Sequence, residues 1–210
     1  MKRAFLFLVP FVLHAAPLPD DQAAAYLEQL AASRPKQGAT AVHFRETRTS
    51  PMLAKPAASE GEIYFQPPLM FRRETSDGGA MVCNGETLWI YSPADHEVER
   101  YKLESKGAEA FKGLMAAFNL QDVGQLFRFT VERADEITRI TLVPKRRAER
   151  RMFDQMVLDV GPDKKLRRAW WSSPGGEQTD LHFSNERQTD SASFEFQPPA
   201  GVKVTAPLGR

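Results

Sequence analysis

The stretch Ala80-Met81-Val82-Cys83-Asn84-Gly85-Glu86-Thr87-Leu88-Trp89-Ile90-Tyr91-Ser92-Pro93-Ala94-Asp95 decides how this chain is read. Two runs rich in apolar and β-branched residues flank Asn84-Gly85, a dipeptide that tolerates the positive φ of a tight hairpin turn, and Ser92-Pro93-Ala94-Asp95 supplies the next turn. The pattern predicts a β-hairpin, and it recurs in both directions. Turn signals stand at Ser76-Asp77-Gly78-Gly79, Gly161-Pro162-Asp163 and Ser173-Pro174-Gly175-Gly176. Between them the side-chain period is two. Phe127, Phe129 and Val131 alternate with Arg128, Thr130 and Glu132; Met156, Leu158 and Val160 form a looser set, and Phe194 and Phe196 flank Glu195. About ten or eleven antiparallel strands follow, joined mostly by short turns. So many strands need a strongly curved sheet, a sandwich or an incomplete barrel, because curling limits exposed edges.

Two segments break the period. Asp20 to about Ser33 carries acids in its first turn and Tyr26, Leu27 and Leu30 at helical spacing, with Pro35 ending it. A second helix is predicted from about Gly107 to Asn119, where Ala108, Phe111, Met115 and Phe118 recur at steps of three and four and Leu114 widens the stripe. That aromatic, Met-rich stripe suits core packing or a lid over an apolar cavity.

The beginning of the chain reads as an export signal. Lys2 and Arg3 precede an apolar run from Ala4 to Leu13, then Ala15, Ala16 and Pro17-Leu18-Pro19. Residues 1–16 are therefore expected to be a signal peptide cleaved near Ala15 or Ala16, and residues 17–210 a single domain. Ten apolar residues are too few to span a bilayer comfortably. Composition fits: 210 residues, 42% hydrophobic, 26% charged, Lys+Arg 28 against Asp+Glu 27, the balance of an ordinary globular chain without the cationic excess of a nucleic-acid binder. Loss of Lys2 and Arg3 leaves the mature chain at a formal −1. The single cysteine, Cys83, forms no intramolecular disulfide and reads as a small buried hydrophobe.

Catalytic constellations are not found. His43, His96 and His182 lack the spacing of a metal site, and Asp95-His96-Glu97 has no second cluster to complete it. Ser33-Arg34-Pro35-Lys36 matches Ser-x-x-Lys, but Pro35 breaks the helical turn that would bring Lys36 over Ser33. No nucleophile elbow, phosphate loop or dinucleotide fingerprint occurs. The chain reads as a non-enzyme without cofactor or metal. Lys145-Arg146-Arg147-Ala148-Glu149-Arg150-Arg151 places five cations in seven residues, a solvated inter-strand loop or a docking surface for an acidic partner or anionic head groups.

The order of the motifs resembles the periplasmic outer-membrane lipoprotein carrier family, LolA. The residues that carry the resemblance are Gly61-Glu62-Ile63-Tyr64-Phe65, Pro68-Leu69-Met70-Phe71, the Asn84–Pro93 hairpin, Leu142-Val143-Pro144-Lys145, and Phe194-Glu195-Phe196-Gln197-Pro198-Pro199-Ala200-Gly201-Val202. The resemblance implies an incomplete antiparallel β-barrel closed by two or three helices over a hydrophobic cavity. It also implies a soluble periplasmic protein, a monomer, that binds the acyl chains of lipoproteins. Such a carrier receives cargo from an inner-membrane ABC-type release complex and passes it to an outer-membrane receptor lipoprotein. It touches membranes only through those partners. Phe71, Trp89, Tyr91, Phe111, Leu114, Met115 and Phe118 are the expected lining, with Trp89 equally suited to pure barrel core. The family's latch arginine, which precedes the strand-ending proline, is replaced here by Pro67. Alternation puts Phe71 and Arg73 on one strand face, so Arg73 is expected to point inward and donate to lid carbonyls in its place. The alternative reading is an exported barrel that binds or senses a different lipid.

Overall fold

A computed structural model gives the fold and describes residues 16–34, 38–120, 122–134, 136–146, 150 and 153–206. Residues 1–15, and with them the body of the expected export signal, lie outside the described residues, as do Lys36, Arg147 and Arg151.

The described residues fold mostly as strands with three helices. After α1 (Asp20–Ala32) come β1 (Ala39–Thr49), β2 (Ala57–Gln66), β3 (Met70–Thr75), β4 (Ala80–Asn84), β5 (Thr87–Ser92) and β6 (Glu97–Lys102). A short 3-10 turn (Lys106–Ala108) leads into α2 (Glu109–Asn119) and the single-turn α3 (Val123–Leu126). The return half is β7 (Phe127–Ala134), β8 (Ile137–Pro144), β9 (Gln155–Val160), β10 (Leu166–Ser172) and β11 (Gln178–Thr189), with β12 (Lys203–Thr205) closing the sequence. All twelve strands belong to one sheet of order β12-β6-β5-β4-β3-β2-β1-β11-β10-β9-β8-β7.

That order explains the helices. Both halves run outward by neighbouring hairpins from the central β1–β11 pair, so β6 and β7 lie toward opposite ends of the sheet. The chain between them, which contains α2 and α3, must cross the open side of the curl. An amphipathic helix in that position turns its apolar stripe toward the concave face, as α2 does. The outcome is the incomplete barrel expected from the strand count.

The Asn84-Gly85 turn forms as its sequence requires. Gly85 has φ +92°, and the Asn84 side-chain oxygen accepts from the Glu86 and Thr87 amides at 3.1 and 2.9 Å. Register then fixes the faces: Phe71 pairs with Cys83 and Cys83 with Leu88, while Arg72 pairs with Val82 and Val82 with Trp89. Phe71, Cys83 and Leu88 share the concave face, and Trp89 lies on the convex one. Cys83 is fully buried, and burial pushes its thiol up, which suits an inert packing residue. Gly61 is demanded by close approach, because a Cβ there would stand 1.8 Å from the Glu74 carbonyl oxygen across the β2–β3 pair.

One end of the concave space is filled. α1 buries Ala23, Leu27 and Leu30 against Val131, Ile140 and Leu158, and Phe127 stacks on Phe153 at 5.9 Å. The free side of β7 is capped by the N-terminal segment, where the Leu18 amide donates to the Val131 carbonyl at 2.7 Å, a standard protection for an edge. The convex face carries a row of ionisable side chains in strand register. Glu132, Arg139, Asp159, Arg168, His182, Arg45 and Glu60 are successive cross-strand partners from β7 to β2. Asp159 there accepts from Arg139 at 2.7 and 3.0 Å.

The Phe194-Glu195-Phe196 segment is not the strand that its alternation predicts. It crosses the convex face of β3–β6 as a strap, buries Phe194, and sets Phe196 against Trp89 and Tyr91 at 6.2 and 6.4 Å. Arg72 holds it by donating to the Ser193 and Glu195 carbonyls at 3.3 and 3.1 Å. The strand comes later, as β12, paired parallel to β6; a strap resting on side chains alternates in and out just as a strand does.

Candidate functional site

The unfilled part of the concave side is a mostly apolar cavity of about 170 Å³. β1 contributes Val42, β2 Ile63 and Phe65, and β11 Leu181 and Phe183, while Leu114, Met115 and Phe118 come down from α2. Phe118 meets Phe183 edge-on at 6.4 Å, so the lid and the far wall touch across the space. The volume lies below the 300–1,000 Å³ of a typical site for a drug-sized ligand. A long acyl chain needs more room than this, which α2 moving away from β11 would give. Leu120 and Asp122 follow α2 with φ of +54° and +52°, left-handed positions at the lid's carboxyl end that few non-glycine residues occupy.

The cavity has charged walls at two places. Arg73 donates to Glu46 Oε2 at 3.0 Å and to Ser59 Oγ at 3.4 Å, and its guanidinium lies 4.6 Å from the centre of the Phe44 ring. Arg48 holds the other Glu46 oxygen at 3.1 Å. Burial pulls the Arg73 guanidinium below its ordinary value and Glu46 pulls it back, the usual contest between desolvation and an opposite charge. At the second place Arg34, just past α1, faces Glu186 of β11. Burial lowers the Arg34 guanidinium too, and its Nε is buried without a hydrogen-bond partner.

The sequence-predicted residues divide in two. Phe71, Leu114, Met115 and Phe118 line the cavity. Phe111 packs on Phe71 edge-on at 5.7 Å in the adjoining cluster of Cys83, Leu88 and Leu103, so it supports the lining from behind. Trp89 and Tyr91 lie on the convex face beneath the strap and do not reach the cavity. The hairpin register is the cause, since it gives them the opposite parity to Leu88. Arg73 points inward as alternation requires, but its hydrogen bonds go to Glu46 and Ser59 rather than to lid carbonyls. The lid is tied instead by Asn119 at the end of α2, whose Nδ2 donates to the Pro68 carbonyl at 3.1 Å, next to Pro67.

Val42, Glu46, Phe183 and Arg34 went unpredicted as lining. The β1 run Val42-His43-Phe44-Arg45-Glu46 does alternate, and a charged Glu46 on its apolar face was the available signal. In the basic loop Lys145 Nζ donates to the Gly124 carbonyl, and Arg150 donates to the Pro144 and Lys145 carbonyls at 3.3 and 3.2 Å; Arg146 is exposed. Among the described residues no group of His, Cys, Asp and Glu side chains is placed to hold a metal ion, and no helix is long and apolar enough to cross a membrane. Ser33 Oγ donates to the Leu30 carbonyl at 2.7 Å, a helix-end bond that accounts for this hydroxyl.

Comparison with known proteins follows from this geometry. A chain from Vibrio vulnificus strain YJ016 described as an outer-membrane lipoprotein carrier protein is 32% identical over 202 residues, covering 94% of this chain and 96% of that one. A protein of the same description from Proteus mirabilis is 25% identical over 166 residues, 77% of this chain and 79% of that one. Among solved structures, an uncharacterized conserved protein from Thermus thermophilus aligns with a TM-score of 0.54 at 13% identity, covering 88% of this chain and 99% of that one, which is agreement in fold. The family model described as outer membrane lipoprotein carrier protein LolA matches residues 36–197, a span from the approach to β1 to the strap that includes the lid and every residue named in the cavity lining but Arg34. The chain belongs to the outer membrane lipoprotein carrier protein LolA family.

Proposed function

We propose that this protein is a periplasmic carrier that shields the acyl chains of lipoproteins in the cavity beneath α2 and moves them across the aqueous space between two membranes. The observation that carries the reading is the apolar cavity beneath α2, in the connection that crosses the open side of the barrel. The physical need is large. Burying acyl chain is worth about 0.8 kcal/mol per CH₂, so a sixteen-carbon chain has roughly 12 kcal/mol of incentive to leave water. A rigid, fully complementary pocket would not let such cargo go. Met115 offers an adaptable thioether surface, and the small resting volume returns energy on release as Phe118 closes back on Phe183.

In this reading an inner-membrane ABC-type complex supplies the cargo, an outer-membrane receptor lipoprotein accepts it, and no bond of the cargo is broken. Phe71, Leu114, Met115 and Phe118 contact acyl chain, Phe111 supports Phe71, and Asn119 sets how readily the lid lifts. The test is incubation of the mature protein with spheroplasts followed by native mass spectrometry of the soluble fraction. A one-to-one complex carrying an acylated lipoprotein is the expected product, reduced by Phe118→Asp. If the protein returns with free lipid or fatty acid and no lipoprotein, the cavity is that of a lipid-binding protein with different cargo.

A further inference from the structure

The basic loop and the exposed apolar side chains of this protein stand at the same end of the sheet. Strand register shows it: Leu142 pairs with Met156, Met156 with Trp171, Trp171 with Thr179 and Thr179 with Arg48. Lys145, Arg146 and Asp154, the 173–177 turn and residues 50–56 therefore lie at the same end of the barrel. The last of them carries Met52, 93% exposed, and Leu53, 45% exposed, which with Val204 are the exposed large hydrophobic side chains among the described residues.

Their exposure is built in. The Met52 amide donates to Ser50 Oγ at 3.2 Å and the Leu53 amide to the Ser50 carbonyl at 3.0 Å, a turn that leaves both side chains outward. Pro51 packs on the neighbouring 173–177 turn, where a Cβ on Gly176 would meet its Cγ at 3.1 Å. Lys55 stands in the same loop, and Lys145, Arg146 and Arg150 are exposed in the loop after β8. From β1 to β9 is three strand steps, roughly 14 Å, so the cations flank the apolar tip. Among the described residues of these connections, Lys55, Lys145, Arg146 and Arg150 stand against Asp154 and Glu177.

We propose that this end of the barrel docks directly on an anionic phospholipid surface, with Met52 and Leu53 entering the interfacial layer and Lys55, Lys145, Arg146 and Arg150 facing the phosphates. Two side chains are too little for a stable protein partner, which needs about 800 Å² on each side. They suffice for reversible bilayer contact when cations add their attraction. The Glu46, Arg48 and Trp171 end of the cavity lies at this end of the strands, so docking brings the cargo site toward the bilayer. The proposal departs from contact only through protein partners, and it stands without the carrier reading because no cargo enters its test.

The test is co-flotation of the mature protein with phosphatidylcholine vesicles made with and without phosphatidylglycerol. Binding is expected with phosphatidylglycerol, falling roughly tenfold in high salt or in its absence. Met52→Ser with Leu53→Ser should weaken it roughly tenfold, and Lys55→Glu with Arg146→Glu should remove the dependence on phosphatidylglycerol. Both double variants should keep the circular dichroism and the apolar-probe uptake of the parent, since none of these residues lines the cavity. Absence of co-flotation, or equal flotation of the parent and both variants, overturns the proposal.

Discussion

Replacing Arg73 by leucine tests the charged wall of the cavity. Glu46 is 8% exposed and is held by Arg73 at 3.0 Å on one oxygen and by Arg48 at 3.1 Å on the other. Removing one partner from a buried pair typically costs 3–5 kcal/mol because the remaining charge is left without compensation. Here Arg48, half exposed, keeps part of that compensation, so Arg73→Leu should cost about 2 kcal/mol, a fall in Tm of roughly 4–8 °C at this size. Replacing Glu46 by leucine as well removes the stranded charge. The double variant should return to within about 1 kcal/mol of the parent, since a buried pair exchanged for apolar side chains is often neutral. Urea unfolding followed by tryptophan fluorescence measures all three differences. The reasoning is refuted if the double variant is no more stable than Arg73→Leu alone, which would mean that Glu46 was never dependent on Arg73.

Three further outcomes are expected. Phe196→Ala should uncover Trp89 and loosen the strap, costing about 1–2 kcal/mol for a half-buried ring, with a red shift in tryptophan emission; an unchanged spectrum would contradict the contact. Gly61→Ala drives a methyl into the Glu74 carbonyl and should destabilise by about 2–3 kcal/mol, read by thermal unfolding. Tyr101, desolvated and donating to Glu99 at 2.7 Å, is pushed up to about 12. Its folded value exceeds the unfolded one, so its contribution to stability is fully present below about pH 10. It is lost as pH rises toward 12, and Tyr101→Phe should delete this late step from an absorbance titration.

Much of the fold was legible because its signals are local. Asn84-Gly85 and the other turn clusters fix hairpins with no tertiary help, and the stripe of Leu114, Met115 and Phe118 announces its apolar face whatever lies opposite. Alternation also placed Phe71 and Arg73 on one face. Which face looks inward is a property of the whole sheet, and there Trp89 and Tyr91 misled: large aromatic rings suit a cavity and a strap-covered convex face equally. The strap at Phe194–Phe196 shares its pattern with a strand and differs only in what it rests on. Glu46 and Arg73 are separated by 27 positions, so no window of sequence joins them. The closing of the lid on Phe183 depends likewise on bringing β11 to α2.

The central claim is that acyl cargo enters beneath α2 and nowhere else. A photo-reactive side chain placed in turn at Leu114, which lines the cavity, and at Tyr91, which lies on the convex face, tests it directly in the spheroplast release reaction. The account predicts a crosslink to the acyl portion of a lipoprotein from position 114 and none from position 91. Equal crosslinking from both positions, or crosslinking from 91 alone, would contradict it.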